Sequence, residues 1–321
     1  MTGVTAVTAV TAVTAATTAT VARADFRAQL LAAQARNTSL LCVGLDPEPA
    51  KFPGAWAGDA SKIYDFCAAI VDATRDTVCA YKPQIAYFAA QRAEDQLERL
   101  IAHIHATAPG VPVILDAKRG DIGATAGQYA REAFERYRAD AVTLSPFMGL
   151  DSIEPYMRHS GKGLILLCRT SNPGGSDLQS QMLLDGELLY ERIARLAAGE
   201  WSAGSGGAQL GLVVGATYPA EVARVRALAP TLPLLIPGIG AQGGDAAATV
   251  LAGWRSGGPI VVSSSRAVLY AGNDLAAENA AENTADNAVA ITAEFVAGFA
   301  AAARQVALAT RAQLQRARPP G

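Results

Sequence analysis

Cysteine, histidine, aromatic residues and charge are all scarce in this chain of 321 residues, and each scarcity closes off a class of function. The four cysteines stand singly, with no C-x-x-C pair and no compact spacing, which excludes a thiol redox motif and a disulfide framework. Cys42, Cys79 and Cys168 fall in apolar runs that read as strands and Cys67 in a helical pattern, so all four are expected as buried, reduced thiols of a cytoplasmic protein. Of the three histidines, His103 and His105 lie on different faces of one helix and His159 in a polar turn, with no ligand spacing around them; no metal site is expected. Charged residues make up 17% of the chain and nearly cancel, leaving a net charge of −2, so neither nucleic acid nor an anionic membrane is an expected partner. A G-x-G-x-x-G after the first apolar run is missing, which weighs against a doubly wound dinucleotide-binding sheet.

The first 22 residues carry no charged side chain and run as a Val-Thr-Ala triplet containing eight threonines. Threonine and alanine transfer poorly into hydrocarbon, no basic residue precedes the run and no Leu-rich stretch follows, so neither a membrane span nor a signal segment is expected. Residues 1–24 read as a disordered low-complexity leader outside the enzyme.

From residue 25 to 318 the pattern becomes regular. Eight short apolar runs, at 40–45, 78–85, 111–117, 141–145, 163–168, 210–215, 234–237 and 260–263, are apolar on both alternating faces and fit strands of a buried parallel sheet. Between them lie amphipathic stretches. Ile63, Phe66, Cys67, Ile70 and Val71 recur at helical spacing, as do Ala126, Tyr129, Ala130, Ala133, Phe134 and Tyr137. Ile291, Phe295, Val296 and Phe299 line a last helix. Eight strand–helix alternations predict one α/β domain, a (β/α)8 TIM barrel. Residues 203–208, rich in Gly and Ser, and an Ala/Glu/Asn tract at 273–287 read as loosely ordered insertions.

In such a barrel the reactive groups stand where strands end. Asp46 follows Val43-Gly44-Leu45, Lys82 follows Cys79-Ala80-Tyr81, and Arg266 follows Ser263-Ser264-Ser265. The third run ends in Leu115-Asp116-Ala117-Lys118-Arg119-Gly120-Asp121. Asp116 and Lys118, two apart on a strand, are expected on one face, with Asp121 brought back by a turn at Gly120. Alternating acids and bases of this kind, with Lys82 added, can be desolvated as a unit and keep a lysine protonated. A structural ion pair at the barrel rim is the competing reading. After the seventh run, Pro237-Gly238-Ile239-Gly240-Ala241-Gln242-Gly243-Gly244 offers backbone N–H groups to an anion, and Arg266 stands at the neighbouring strand end. Together they suggest a phosphate site.

These segments resemble the orotidine 5'-phosphate decarboxylase family. Leu115-Asp116-Ala117-Lys118-Arg119-Gly120-Asp121-Ile122-Gly123-Ala124-Thr125 looks like its signature. Gly44-Leu45-Asp46-Pro47, Tyr81-Lys82-Pro83, Thr170-Ser171-Asn172-Pro173-Gly174 and the glycine-rich segment after the seventh run resemble its other motifs in order, and the length suggests the longer bacterial branch. The resemblance implies conversion of orotidine 5'-phosphate to UMP without cofactor or metal. It implies Lys118 as proton donor to C6, flanked by Asp116 and Asp121 with Lys82 beside them. Asp46, Lys82 and Thr125 would hold the ribose and Ser171 would read the pyrimidine, while Gln242 and Arg266 would hold the phosphate; Ile122, Pro237 and Ser265 complete the implied substrate contacts. It implies a homodimer in which Asp121 and Thr125 enter the neighbouring subunit's site. Ser265 departs from the pattern, since many relatives carry glycine before the arginine.

Three other functions fit a charged barrel mouth. A metal-dependent sugar-phosphate decarboxylase shares the D-x-K-x-x-D segment but needs a carboxylate where Lys82 stands. A Schiff-base aldolase needs a neutral lysine, whereas Lys82 and Lys118 sit among acids. A nucleotide sensor would have to keep the charged quartet desolvated for binding alone.

Overall fold

In the computed structural model, residues 23–239, 244–272 and 293–319 are described. Eight strands occur there: β1 (Leu41–Leu45), β2 (Ala80–Pro83), β3 (Ile114–Arg119), β4 (Ala141–Leu144), β5 (Gly163–Arg169), β6 (Gln209–Val214), β7 (Leu234–Pro237) and β8 (Ile260–Ser264). All pair in parallel, in the order β2-β1-β8-β7-β6-β5-β4-β3. Single bridges from Tyr81 to Val113 and from Gln84 to Asp116 join β2 to β3 and bring the two edges of the sheet together. With helices between successive strands, this is a (β/α)8 barrel, as the sequence predicts.

The strands form where they do because nearly every residue in them is buried, as the continuous apolar runs require. Their inward residues are stacked in layers. Cys42, Ala80, Ile114, Ala141, Ile165, Val213, Leu235 and Val261, one from each strand, form an apolar cluster inside the barrel. Phe26 and Leu30, from the helix Phe26–Asn37, close its floor. Gly163 makes room for that plug, since a Cβ there would lie 2.5 Å from Phe26 Cδ1. Two residues further along each strand, on the same face, stand Gly44, Lys82, Asp116, Thr143, Leu167, Gly215, Pro237 and Ser263. The barrel therefore changes within a single pleat from an apolar layer to one that carries four polar side chains, Lys82, Asp116, Thr143 and Ser263, and this polar layer is the floor of the site.

Several local expectations are corrected. β2 is shorter than the apolar run that signals it, and β3 starts and ends later, at Ile114 and Arg119. The helix Gly123–Arg131 gives way to a π turn at Glu132–Arg136 instead of continuing to Tyr137. Residues 203–208 are not a free excursion: Ser205 and Ala208 are buried and Gly207 accepts a hydrogen bond from Gly161 N at 3.0 Å. Arg23, which sequence places in the leader, donates to Asp140 at 2.8 Å beneath the barrel floor. The tract at 273–287 and Ile291 lie outside the described residues, whereas Phe299 of the last helix, Ala293–Arg316, is buried.

All four cysteines are free and buried, and burial pushes the Cys42 thiol up to about 12. Carboxylates do stand beside two histidines: His103 meets Asp72 at 2.9 Å and His105 meets Asp140 at 3.2 Å. Each is a single pair, and among the described residues no group of three or more potential ligands gathers. No described helix is long and apolar enough to cross a membrane.

Candidate active site

Above the polar layer opens a cavity of about 550 Å3 lined from all eight strands or the residues that follow them. Asp116 is its centre of charge. Its Oδ2 accepts from Lys82 Nζ at 2.8 Å and its Oδ1 from Lys118 Nζ at 2.5 Å. Lys82 and Asp116 are each 6% exposed, while the Lys118 side chain is 47% exposed and faces the opening. Burial opposes ionisation of Asp116, but the ammonium groups of Lys82 and Lys118 outweigh it and hold the carboxyl well below its usual range. Burial likewise works against a charged Lys82, and the carboxylates of Asp116 and then Asp46 overcome it, so the amine is held above its ordinary value. The result is a carboxylate fixed between two cations, with Lys82 and Asp116 desolvated together and Lys118 open to the cavity.

The route by which Lys118 reaches Asp116 differs from the one expected. Simple strand alternation does not carry it there. Lys118 has φ +46°, the left-handed region that costs a non-glycine residue about 1 kcal/mol or more. Between the pairs Leu115–Val142 and Arg119–Leu144, three residues of β3 oppose one residue of β4, Thr143. The strand bulges there, and the bulge turns Lys118 towards the cavity.

Asp46, at the end of β1, lines the cavity beside Lys82, and its Oδ1 is buried without a hydrogen-bond partner among the described residues. An unfilled carboxylate acceptor in a cavity is suited to a ligand hydroxyl. Its backbone is tied from behind: Tyr270 Oη donates to Asp46 O at 3.1 Å and accepts from Glu48 N at 2.9 Å.

The loop after β5 forms another wall. Arg169, 1% exposed, donates to Glu221 at 2.6 Å and to Ser176 Oγ at 3.0 Å, and Thr170 N donates to Gln179 Oε1 at 2.8 Å. These bonds present Thr170, Ser171 and Asn172 to the cavity. Ser171 sits directly over Gly215, where a Cβ would lie 2.6 Å from Ser171 Cα.

The far end is lined by Pro237, Gly238, Ser265 and Arg266. Gly238 has φ +104°, a backbone that favours glycine, and Gly244 N donates to Gly238 O at 3.1 Å. Arg266 is exposed and has no acidic partner among the described residues, leaving its guanidinium open to an anion.

The structure thus brings Asp46, Lys82, Asp116, Lys118, Ser171, Pro237, Ser265 and Arg266 to one cavity. It does not bring Asp121, Ile122 or Thr125 there within the same chain. Ile122 is 50% exposed, Thr125 is exposed, and among the described residues the Asp121 carboxylate accepts only from Ile122 N at 2.8 Å. Gln242 lies outside the described residues. Sequence reasoning missed Thr143 and Gln179 and gave no role to Thr170 and Asn172 within their motif, yet all four line the cavity. Counting two residues on from Ala141 would have found Thr143 on the inward face of β4.

The sequence profile of the orotidine 5'-phosphate decarboxylase / HUMPS family matches residues 39–281. The chain belongs to this family. An orotidine 5'-phosphate decarboxylase of Methylibium petroleiphilum is 67% identical over 301 residues, covering 91% of this chain and 99% of the relative. The orotidine 5'-phosphate decarboxylase of Paracidovorax citrulli is also 67% identical, over 296 residues and 99% of its length. Among solved structures, the Leishmania donovani OMP decarboxylase is 40% identical with a TM-score of 0.68, covering 80% of this chain and 96% of its own. A structure from Streptomyces avermitilis, described as a putative orotidine 5'-phosphate decarboxylase, is 30% identical with a TM-score of 0.72 over 92% of this chain and 96% of its own. Asp46, Lys82, Asp116, Lys118, Ser171 and Asn172, from the segments whose sequence resembles the family, all line the cavity, together with Arg266.

Proposed function

We propose that this chain decarboxylates orotidine 5'-phosphate to UMP, the last step of pyrimidine nucleotide synthesis, and that it does so with its own charged side chains and no cofactor. The observation that carries the reading is the Lys82–Asp116–Lys118 array at the cavity floor, in a chain two-thirds identical to orotidine 5'-phosphate decarboxylases.

The phosphate is held by Arg266 together with the Gly238 loop, and Gln242 is assigned to the same end. Asp46 accepts ribose hydroxyls through its unfilled oxygen, with Lys82 beside it. Ser171 reads the pyrimidine amide. This threading sets C6 and its carboxylate over Asp116 and Lys118. The C6–carboxylate bond breaks, CO2 leaves, and the electron pair stays on C6 in an orbital that the ring cannot delocalise. The Lys118 ammonium stabilises that charge by proximity and then transfers its proton to C6, giving UMP. Asp116 keeps the ammonium in place, and its closeness to the substrate carboxylate disfavours the bound ground state.

Asp121 and Thr125 are assigned to the neighbouring site of a homodimer. Support comes from their position outside their own chain's cavity, with Thr125 exposed, and from apolar side chains on the same loops: Ile122, Phe147 at 78% exposure, Met148 and Leu150 all stand out after β3 and β4. Four reduced thiols fit an enzyme of the cytoplasm.

A spectrophotometric assay with orotidine 5'-phosphate, run with and without EDTA, tests the reading. Turnover unaffected by the chelator is expected. Absence of turnover would overturn the activity, and loss on chelation would favour the metal-dependent sugar-phosphate reading. Lys118→Ala is expected to lower kcat on the order of a thousandfold or more in a protein that remains folded.

A further inference from the structure

Between β3 and β4 the ladder of hydrogen bonds breaks, because three residues of β3 oppose Thr143 alone. A bulge of that size leaves backbone N–H groups without strand partners, and one side chain takes them up. Ala117 N and Lys118 N both donate to Thr143 Oγ1, each at 3.0 Å. The same oxygen donates to Asp116 Oδ1 at 2.9 Å. A hydroxyl has two acceptor sites and one proton, and here all three are used. With both acceptor sites filled from the backbone, the proton has one direction left, towards the carboxylate that also holds Lys118 Nζ. Thr143 is 1% exposed, so water does not compete freely for these bonds.

We propose that Thr143 is a positioning residue of the active site: its hydroxyl fixes the left-handed backbone at Lys118 and the rotamer of Asp116 together, and so sets where the Lys118 ammonium stands. The strained φ of Lys118 needs such a brace, since an unsupported non-glycine residue relaxes out of this region. Removal of the hydroxyl releases both ends of the Asp116–Lys118 pair. Substrate binding is spared, because Arg266 and Ser171 hang from other strand ends.

The inference rests on the decarboxylase reading, and the two fail differently. Unmutated protein with no turnover of orotidine 5'-phosphate overturns the reading itself. With an active wild type, Thr143→Val, which keeps the shape and deletes the hydroxyl, is expected to lower kcat on the order of a hundredfold. KM and the Kd for UMP should stay within about threefold, since the phosphate and base contacts are untouched. Thr143→Ser, which retains the hydroxyl, should hold kcat within roughly fivefold of wild type. Thr143→Ala provides a second hydroxyl-free protein, judged by the same split, if valine unsettles the strand. A hydroxyl-free variant with near-wild-type kcat, a serine variant as impaired as valine, or a loss that falls on KM and UMP binding alone would each overturn the proposal.

Discussion

Gly44 and Ser265 share one space: a Cβ built on Gly44 would lie 1.8 Å from Ser265 Oγ and 2.9 Å from its Cβ. The two residues meet because β1 and β8 are neighbours, with Val43 paired to Ser264. Ser265 is also the residue immediately before Arg266. Glycine on β1 is therefore what allows a serine to stand at the phosphate end of the cavity. Gly44→Ala should push Ser265 aside and move Arg266 with it, raising KM about tenfold with a stability cost of about 1–3 kcal/mol from overpacking. Ser265→Gly should be mild alone and should rescue Gly44→Ala. A double variant no better than Gly44→Ala would show that the clash is relieved elsewhere.

Arg266 stands just past β8 with no acidic partner among the described residues, so removing it leaves no buried charge stranded. Arg266→Ala is expected to raise KM roughly ten- to hundredfold, the worth of charge-assisted bonds to a phosphate. The effect should vanish for a substrate lacking the phosphate. An unchanged KM would remove Arg266 from the phosphate site.

The charged floor of the site was legible in the sequence for a simple reason. Asp46, Lys82, Asp116 and Arg266 are polar residues that end apolar runs, and burial makes that contrast visible without coordinates. Thr143 was not legible in the same way, because threonine is ordinary in a strand and its role depends on a bulge in the strand beside it. That bulge carries no sequence mark: its left-handed residue is Lys118, not the glycine that usually signals such a backbone. Gly44 stands within a recognisable motif, but its reason lies in Ser265, which is distant in sequence and adjacent only once the barrel closes. The strand boundaries moved for a related cause. The apolar run at 78–85 includes Val78 and Cys79, which are buried before β2 begins, so apolar character alone overstates the strand.

Asp121 and Thr125 stand outside the cavity of their own chain, and their assignment to a partner's cavity is open to complementation. Lys118→Ala and Asp121→Ala proteins should each be nearly inactive alone. If sites are shared, a mixed dimer carries one site with both lesions and one with neither. An equal mixture allowed to exchange subunits should recover up to about a quarter of wild-type activity, since half the dimers are mixed and half their sites intact. Recovery no greater than the sum of the two separate proteins would place Asp121 in its own subunit's chemistry.

Asp140 makes the barrel floor sensitive to acid. It is 1% exposed and accepts from Arg23 at 2.8 and 3.0 Å, Val113 N at 2.9 Å, and Gln29 Nε2 and His105 Nε2 at 3.2 Å each. Burial works to raise its carboxyl, but the hydrogen bonds from His105 and Arg23 prevail and hold it well below the ordinary range. A carboxyl depressed by folding stabilises the native state fully above its unfolded value, about 4, and that contribution is lost as the pH falls through the window below it. Asp140→Asn should therefore cost about 2–3 kcal/mol at neutral pH, discounted for the partial exposure of Arg23. The gap from wild type in urea unfolding should stay flat from about pH 5 to 8 and narrow below about pH 4. A gap that instead persists undiminished in acid would mean the carboxylate's charge contributes nothing, and that the floor is held by shape alone.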